Sequence, residues 1–280
     1  KYAVPTPLYT GFHSDAQTAP NLIKDVLKDT QLLRLNFGTF CLHGAQMAMF
    51  IVVPFALKET SGMSENLHWQ VYLPVLIVSF LLMIPAIIYA EKKAKLKPVF
   101  IAAVGLMLAA QLIFAYNIHH FWGIVTSLLV YFVAFNILEA SLPSLISKMA
   151  PAAAKGTAMG VHNTAQSFGM FLGATVGGYL SHRFDYAAVF LFCAVLMLIW
   201  FLLAFGMKTP LSVKTKMYHI QDFDSDAAND LQQQVAALTG VQEAVAIAKE
   251  NMLIVKLNNQ LPATTQASTE HMILKLIGSK

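Results

Sequence analysis

The chain has 280 residues, 56% of them hydrophobic and only 12% charged, with a net charge of +4. About a quarter of a soluble domain is charged, so this composition excludes an ordinary water-soluble globule. The two cysteines, Cys41 and Cys193, both lie in apolar runs and support neither a disulfide framework nor a metal centre. The lysines sit in the gaps between apolar runs, which assigns the positive charge to membrane topology and anionic lipid headgroups rather than to nucleic acid. Lys1 occupies the place of an initiating methionine and no signal-peptide pattern follows, so the chain reads as part of a longer protein.

Residues 1–31 are polar and contain Pro5, Pro7 and Pro20. Between Asn21 and Lys28, Leu22, Ile23, Val26 and Leu27 share one helical face, which suits a surface-lying amphipathic helix or a plain connector. Six apolar runs follow, at about 32–57, 67–90, 98–118, 121–147, 155–181 and 185–207. Each is near or above the roughly 20 residues needed to cross a hydrocarbon core of about 30 Å. Alternate gaps hold Lys92, Lys93, Lys95 and Lys97, then Lys148 and Lys155, then Lys208, Lys214 and Lys216. The other gaps offer Lys58 and Arg183. The positive-inside rule then makes the lysine-rich side, and both flanking segments, cytoplasmic. The outer loops Asn117–His120 and Ser181–Tyr186 are short, so consecutive spans are antiparallel neighbours.

After a linker at 208–216 the composition changes. The expected elements are a strand at Met217–Ile220, a helix at Ser225–Leu238 stopped by Gly240, strands at Val241–Ala248 and Met252–Leu257, and a helix at Ala263–Ile277. Lys249, Glu250 and Asn251 read as a hairpin turn. The order β-α-β-β-α is ferredoxin-like with its last strand missing. The loop Gln221–Ser225 has no cysteine, which argues against metal binding there. The expected fold class is an all-α polytopic membrane protein with a small α+β ferredoxin-like domain at 217–280.

Polar side chains inside spans are costly and turn toward the bundle interior. Asn36, Thr39, His43 and Gln46 are spaced three, four and three apart, which places them on one stripe of the first span. The stripe lines a cavity or makes interhelical hydrogen bonds, and His43 and Gln46 are the cavity candidates. In the fourth span, Asn136 is a further candidate and Glu139 is the acid well inside a span. Glu139 either loads and releases a proton or pairs with Lys148 or Lys155 as a cytoplasmic latch, and its position toward that end favours the latch. In the fifth span, His162, Asn163, Gln166 and Ser167 form a polar cluster, with Asn163 and Gln166 taken as cavity lining. Gly169, Gly173 and Gly177 form a small-residue ladder for a close helix crossing. Glu91, at a span end beside Lys92 and Lys93, is a candidate for gating ion pairs. Pro54, Pro74, Pro85 and Pro143 sit in or near span ends, either as bends that can serve gating or as the prolines common in membrane helices.

The basic loop Ala90–Lys97 resembles the loop motif in the C-terminal half of the major facilitator superfamily, and Lys155–Gly160 with its glycine ladder is similar to the eleventh helix of such transporters. Leu32–Gly38, Phe135–Lys148 and the ferredoxin-like tail resemble the YajR-type members, which carry a C-terminal YAM domain. The resemblance covers almost the whole chain. It implies that the six spans are helices 7–12 of a twelve-helix protein, that residues 1–31 are its central connector, and that a six-helix N-terminal half is the partner. It also implies a bacterial inner-membrane location. The family's better-known loop motif and most of its proton-coupling acids fall outside this chain.

The expected function is therefore one half of an alternating-access secondary transporter, exporting small, fairly apolar molecules in exchange for protons, with no cofactor and no enzymatic activity. The tail is expected to act as a regulatory or stabilising module, meeting the connector near Leu22–Leu27. The alternatives are a six-span half-size transporter or channel acting as a dimer, and a membrane anchor for a signalling tail.

Overall fold

The computed structural model describes residues 20–151, 154–208, 213–220, 225–248, 251–258 and 261–278. The chain divides into two compact units. One comprises Asp25–Met149 and Met159–Pro210, and the other Lys1–Lys24, Ala150–Ala158 and Leu211–Lys280.

A short helix, α1 (Pro20–Lys28), precedes the long ones. In it Val26 is buried and Leu27 exposed. The helix α2 (Thr30–Ser61) overruns the expected 32–57 at both ends because each end is capped. The Asp29 carboxylate accepts from the Gln31 and Leu32 amides at 2.7 and 3.2 Å. At the other end Gly62, at φ 64°, closes its amide onto the Lys58 carbonyl, a left-handed stop that favours glycine. Next come α3 (Trp69–Lys92), α4 (Leu96–Asn117), α5 (Phe121–Met149), α6 (Lys155–Arg183) and α7 (Tyr186–Phe205). Pro54, Pro74, Pro85 and Pro143 lie within α2, α3 and α5.

By length and composition, α2, α4, α5, α7 and the stretch Glu65–Lys92 containing α3 are apolar enough to cross a membrane. The 29-residue α6 is long enough, at about 1.5 Å per residue, to span some 43 Å. Its composition is more polar because it carries His162, Asn163, Gln166, Ser167 and a run of glycines. Such a helix is at home where its polar side faces other helices.

Within this unit α4 packs on α5 and α7, α2 on α7 and α5, and α3 on α5. Aromatic rings fill the junction of α4, α5 and α7. Phe114 stacks on Phe190 at 4.5 Å, Tyr131 meets Phe114 edge-on, and Phe100 meets Trp200 edge-on. Outward, α3 presents Leu73, Ile77, Phe80, Leu81, Ile84 and Ile88. An apolar surface of that extent fits lipid or further helices, not water.

The other unit contains β1 (Val213–His219), α8 (Ser225–Ala236), β2 (Val241–Ile247), β3 (Met252–Asn258) and α9 (Ala263–Leu276). The sheet order is β1-β3-β2, with both pairs antiparallel. The first two strands are therefore parallel with β3 between them, the split βαβ arrangement of ferredoxin-like folds. Leu253, Val255 and Leu257 of β3, Leu231 and Val235 of α8, and Ile273 of α9 form its core. One boundary differs from expectation. The first strand starts at Val213, inside the stretch read as a linker, because Val213–Lys216 pair with Val255–Asn258. Its lysines read as a topology signal and concealed the strand. The loop 221–224 and two residues of the expected hairpin turn, Lys249 and Glu250, lie outside the described residues.

Candidate functional site

The polar stripe of α2 meets α5 and α6 in a bonded network. Thr39 is fully buried, and its hydroxyl donates to the Leu35 carbonyl one turn back. With that proton committed, Thr39 Oγ1 accepts from His162 Nδ1 of α6 at 3.0 Å. One turn on, His43 Nδ1 lies 3.0 Å from the Thr39 carbonyl. A carbonyl only accepts, so Nδ1 carries a proton and the tautomer of His43 is set by its own helix.

That tautomer has a chemical consequence at the other ring nitrogen. His43 Nε2 lies 3.3 Å from Glu139 Oε2 of α5. A neutral ring protonated at Nδ1 presents only a lone pair at Nε2, and a carboxylate presents only lone pairs as well. The contact holds when one proton lies between them, as imidazolium and carboxylate or as imidazole and carboxylic acid. The pair is thus a one-proton store. Its two ends differ, the His43 side chain being 3% exposed and that of Glu139 44%. At about 1.5 Å per residue, Glu139 lies about 15 Å from the Met149 end of α5 and His43 about 20 Å from the Thr30 end of α2. Phe135 packs edge-on against His43 and stacks with Tyr131, walling the pair with rings.

This placement corrects the latch reading of Glu139. The carboxylate meets His43, whereas Lys148 pairs with Glu91 at 3.0 Å and Lys155 donates to Thr215 Oγ1 at 3.2 Å. The reason is helical phase: Glu139 lies one turn beyond Phe135, on the side of α5 that faces α2. Glu91 does form an ion pair, across from α3 to α5, while Lys92 and Lys93 are exposed.

The remaining candidates separate. Asn136 Nδ2 donates to Ser79 Oγ of α3 at 3.0 Å. Gln46 and Gln166 are half-buried and Asn163 is exposed. Asn36 is buried with its Oδ1 lacking a hydrogen-bond partner. Two participants were not among the sequence candidates. His162 belongs to the polar cluster of the fifth span, but its residue type does not set it apart there from Asn163 and Gln166. Ser79 gave one signal, a hydroxyl inside an otherwise apolar run.

The glycine ladder of α6 meets α2. A Cβ at Gly169 would overlap the Phe40 carbonyl, one at Gly173 would overlap the Gly44 carbonyl, and one at Gly177 would stand 3.0 Å from Ala48. The two backbones cross on residues 40, 44 and 48, and this approach brings His162 to Thr39.

Comparison with known proteins places this architecture. The profile of the Major Facilitator Superfamily matches residues 15–227. The chain belongs to the Major Facilitator Superfamily. It is 39% identical over 237 residues to the inner membrane transport protein YajR of Escherichia coli (strain K12), covering 84% of this chain and 52% of that protein. It is 29% identical over 178 residues to an uncharacterized transporter of Buchnera aphidicola subsp. Baizongia pistaciae, covering 63% and 45%. A second Buchnera protein, from the subspecies Acyrthosiphon pisum and also an uncharacterized transporter, is 31% identical over 140 residues, or 50% and 36%. The chain spans about half the length, or less, of these curated relatives. All three relatives are named as transport proteins.

Proposed function

We propose that this chain is the C-terminal six-helix half of a proton-coupled secondary transporter, and that His43 and Glu139 carry the coupling proton. The observation behind this reading is the His43–Glu139 contact itself, which requires one proton and loses its attraction without it. Deprotonation leaves lone pairs facing each other and favours separation of α2 and α5. Reprotonation draws them together. A two-state element of this kind is what alternating access needs.

In this reading a six-helix N-terminal half faces α2, α5 and α6, and the solute passes between the halves near mid-membrane. Gln46, Asn136, Asn163 and Gln166 line that path, and the Glu91–Lys148 pair closes the lysine-rich side. The solute is a small, fairly apolar molecule carried outward against protons. The positive-inside pattern makes the lysine-rich side cytoplasmic, and the name of the Escherichia coli relative supports a location in the inner membrane. The βαββα domain is then cytoplasmic and regulatory.

The test is reconstitution of the intact protein into vesicles with an internal pH dye. An imposed pH gradient should drive solute movement in parent vesicles, and Glu139→Gln should abolish it while the protein stays folded. Transport unchanged by Glu139→Gln would remove the coupling role.

A further inference from the structure

Successive side chains of a strand point to opposite faces, and β3 divides accordingly. Leu253, Val255 and Leu257 face the helix-packed core of the C-terminal unit. Ile254 and Lys256 face the other side, which in a two-layer domain of this size meets solvent. Yet Ile254 is 2% and Lys256 5% exposed. The unit includes a segment from elsewhere in the chain, Ala150–Ala158, which runs from the end of α5 into the first turn of α6. Lys256 Nζ donates to the Ala150 carbonyl at 2.6 Å and pairs with Glu243 Oε2 at 2.7 Å. On the same side Lys155 Nζ donates to Thr215 Oγ1. The register explains this convergence, since Thr215 and Glu243 are the two neighbours of Lys256 across the sheet. One rung, Thr215–Lys256–Glu243, therefore meets the α5–α6 turn at both of its ends.

We propose that this second sheet face is a seat for the α5–α6 turn, and that Lys256 is the latch by which the C-terminal domain controls the geometry of α6. A buried ammonium left without its acceptor is costly, so the latch is strong while closed and decisive once broken. The Ala150 carbonyl follows directly on α5, where the helix dipole concentrates negative charge and an ammonium is well placed. Lys155 begins α6, and His162 lies two turns along that same helix. Holding Ala150 and Lys155 thus constrains the turn from which His162 is presented to Thr39. The regulatory meaning rests on the transport reading above, whereas the seat itself does not.

The test uses hydrogen exchange on the intact protein, with no solute needed, so it fails or succeeds separately from the vesicle assay. In Lys256→Met, amides of Ala150–Ala158 should exchange roughly tenfold or more faster, as expected on losing a hydrogen bond from a charged group. The increase should extend to 159–163 of α6, while β3 keeps its protection, and Lys256→Arg should restore the parent pattern. Unchanged exchange at 150–158 would overturn the proposal, and so would an increase that stops at Ala158. Should Lys256→Met also strip protection from β3, Lys155→Ala decides the matter. It opens the same turn without stranding a buried charge, and parent-like exchange in it would overturn the seat.

Discussion

At the level of single residues, the chemistry of His43 is decided by the carbonyl one turn behind it. Because Thr39 O accepts from Nδ1, every protonation change of the ring must occur at Nε2, where Glu139 waits. Glu139→Gln keeps a donor toward Nε2 and so should preserve the fold, with thermal unfolding close to the parent. It cannot release a proton, so pH-driven flux should fall to that of protein-free vesicles. Thr39→Val is the complementary change. It keeps the shape but leaves His162 Nδ1 without its acceptor, and should cost about 1 kcal/mol, between the 0.6 kcal/mol typical of bundle hydrogen bonds and the larger penalty for a stranded donor. Equilibrium unfolding in mild detergent measures it.

Helices determine how closely those residues can meet. The crossing of α2 and α6 depends on glycine because carbonyls of α2 occupy the space a Cβ would need. Gly173→Ala should therefore destabilise the protein by at least about 1–3 kcal/mol, the cost of overpacking. Gly178 is the control, with nothing within 4 Å of its added Cβ, so Gly178→Ala should be neutral or slightly stabilising in the same unfolding experiment. The α3–α5 pair is a different kind of contact. Glu91 is 50% exposed and Lys148 19%, so the bond is solvent-screened and worth no more than about 1 kcal/mol. A weak pair is easily broken and remade. Lys148→Glu should raise exchange at the adjoining ends of α3 and α5, and adding Glu91→Lys should bring it back.

Taken whole, the molecule is an apolar bundle and a small sheet domain, each with an unusual face. The bundle turns large apolar side chains outward along α3 and α7, and polar ones inward between α2, α5 and α6. The sheet buries a lysine on the face away from its own helices. Much of this was legible beforehand. The three-four-three spacing of Asn36, Thr39, His43 and Gln46 marked the inward stripe, because a helix repeats every 3.6 residues whatever surrounds it. The glycine ladder announced a close crossing for the same reason. What periodicity cannot supply is the neighbour, since a helix carries no record of which helix it meets. Hence sequence proximity pairs Glu139 with nearby lysines, whereas its partner is His43, 96 positions earlier, and nothing local distinguishes His162 from Asn163.

The sequence by itself determined the membrane class, the order of the small domain and the buried stripe of α2 through Asn36, Thr39 and His43. These follow from composition and local period, which act within a few turns of chain. Only the tertiary structure decided the partners: His43 with Glu139, Thr39 with His162, the glycines with residues 40, 44 and 48, and Lys256 with Ala150. Each joins segments far apart in the chain, and such pairings are selected by packing and by burial of polar groups, which no local pattern encodes.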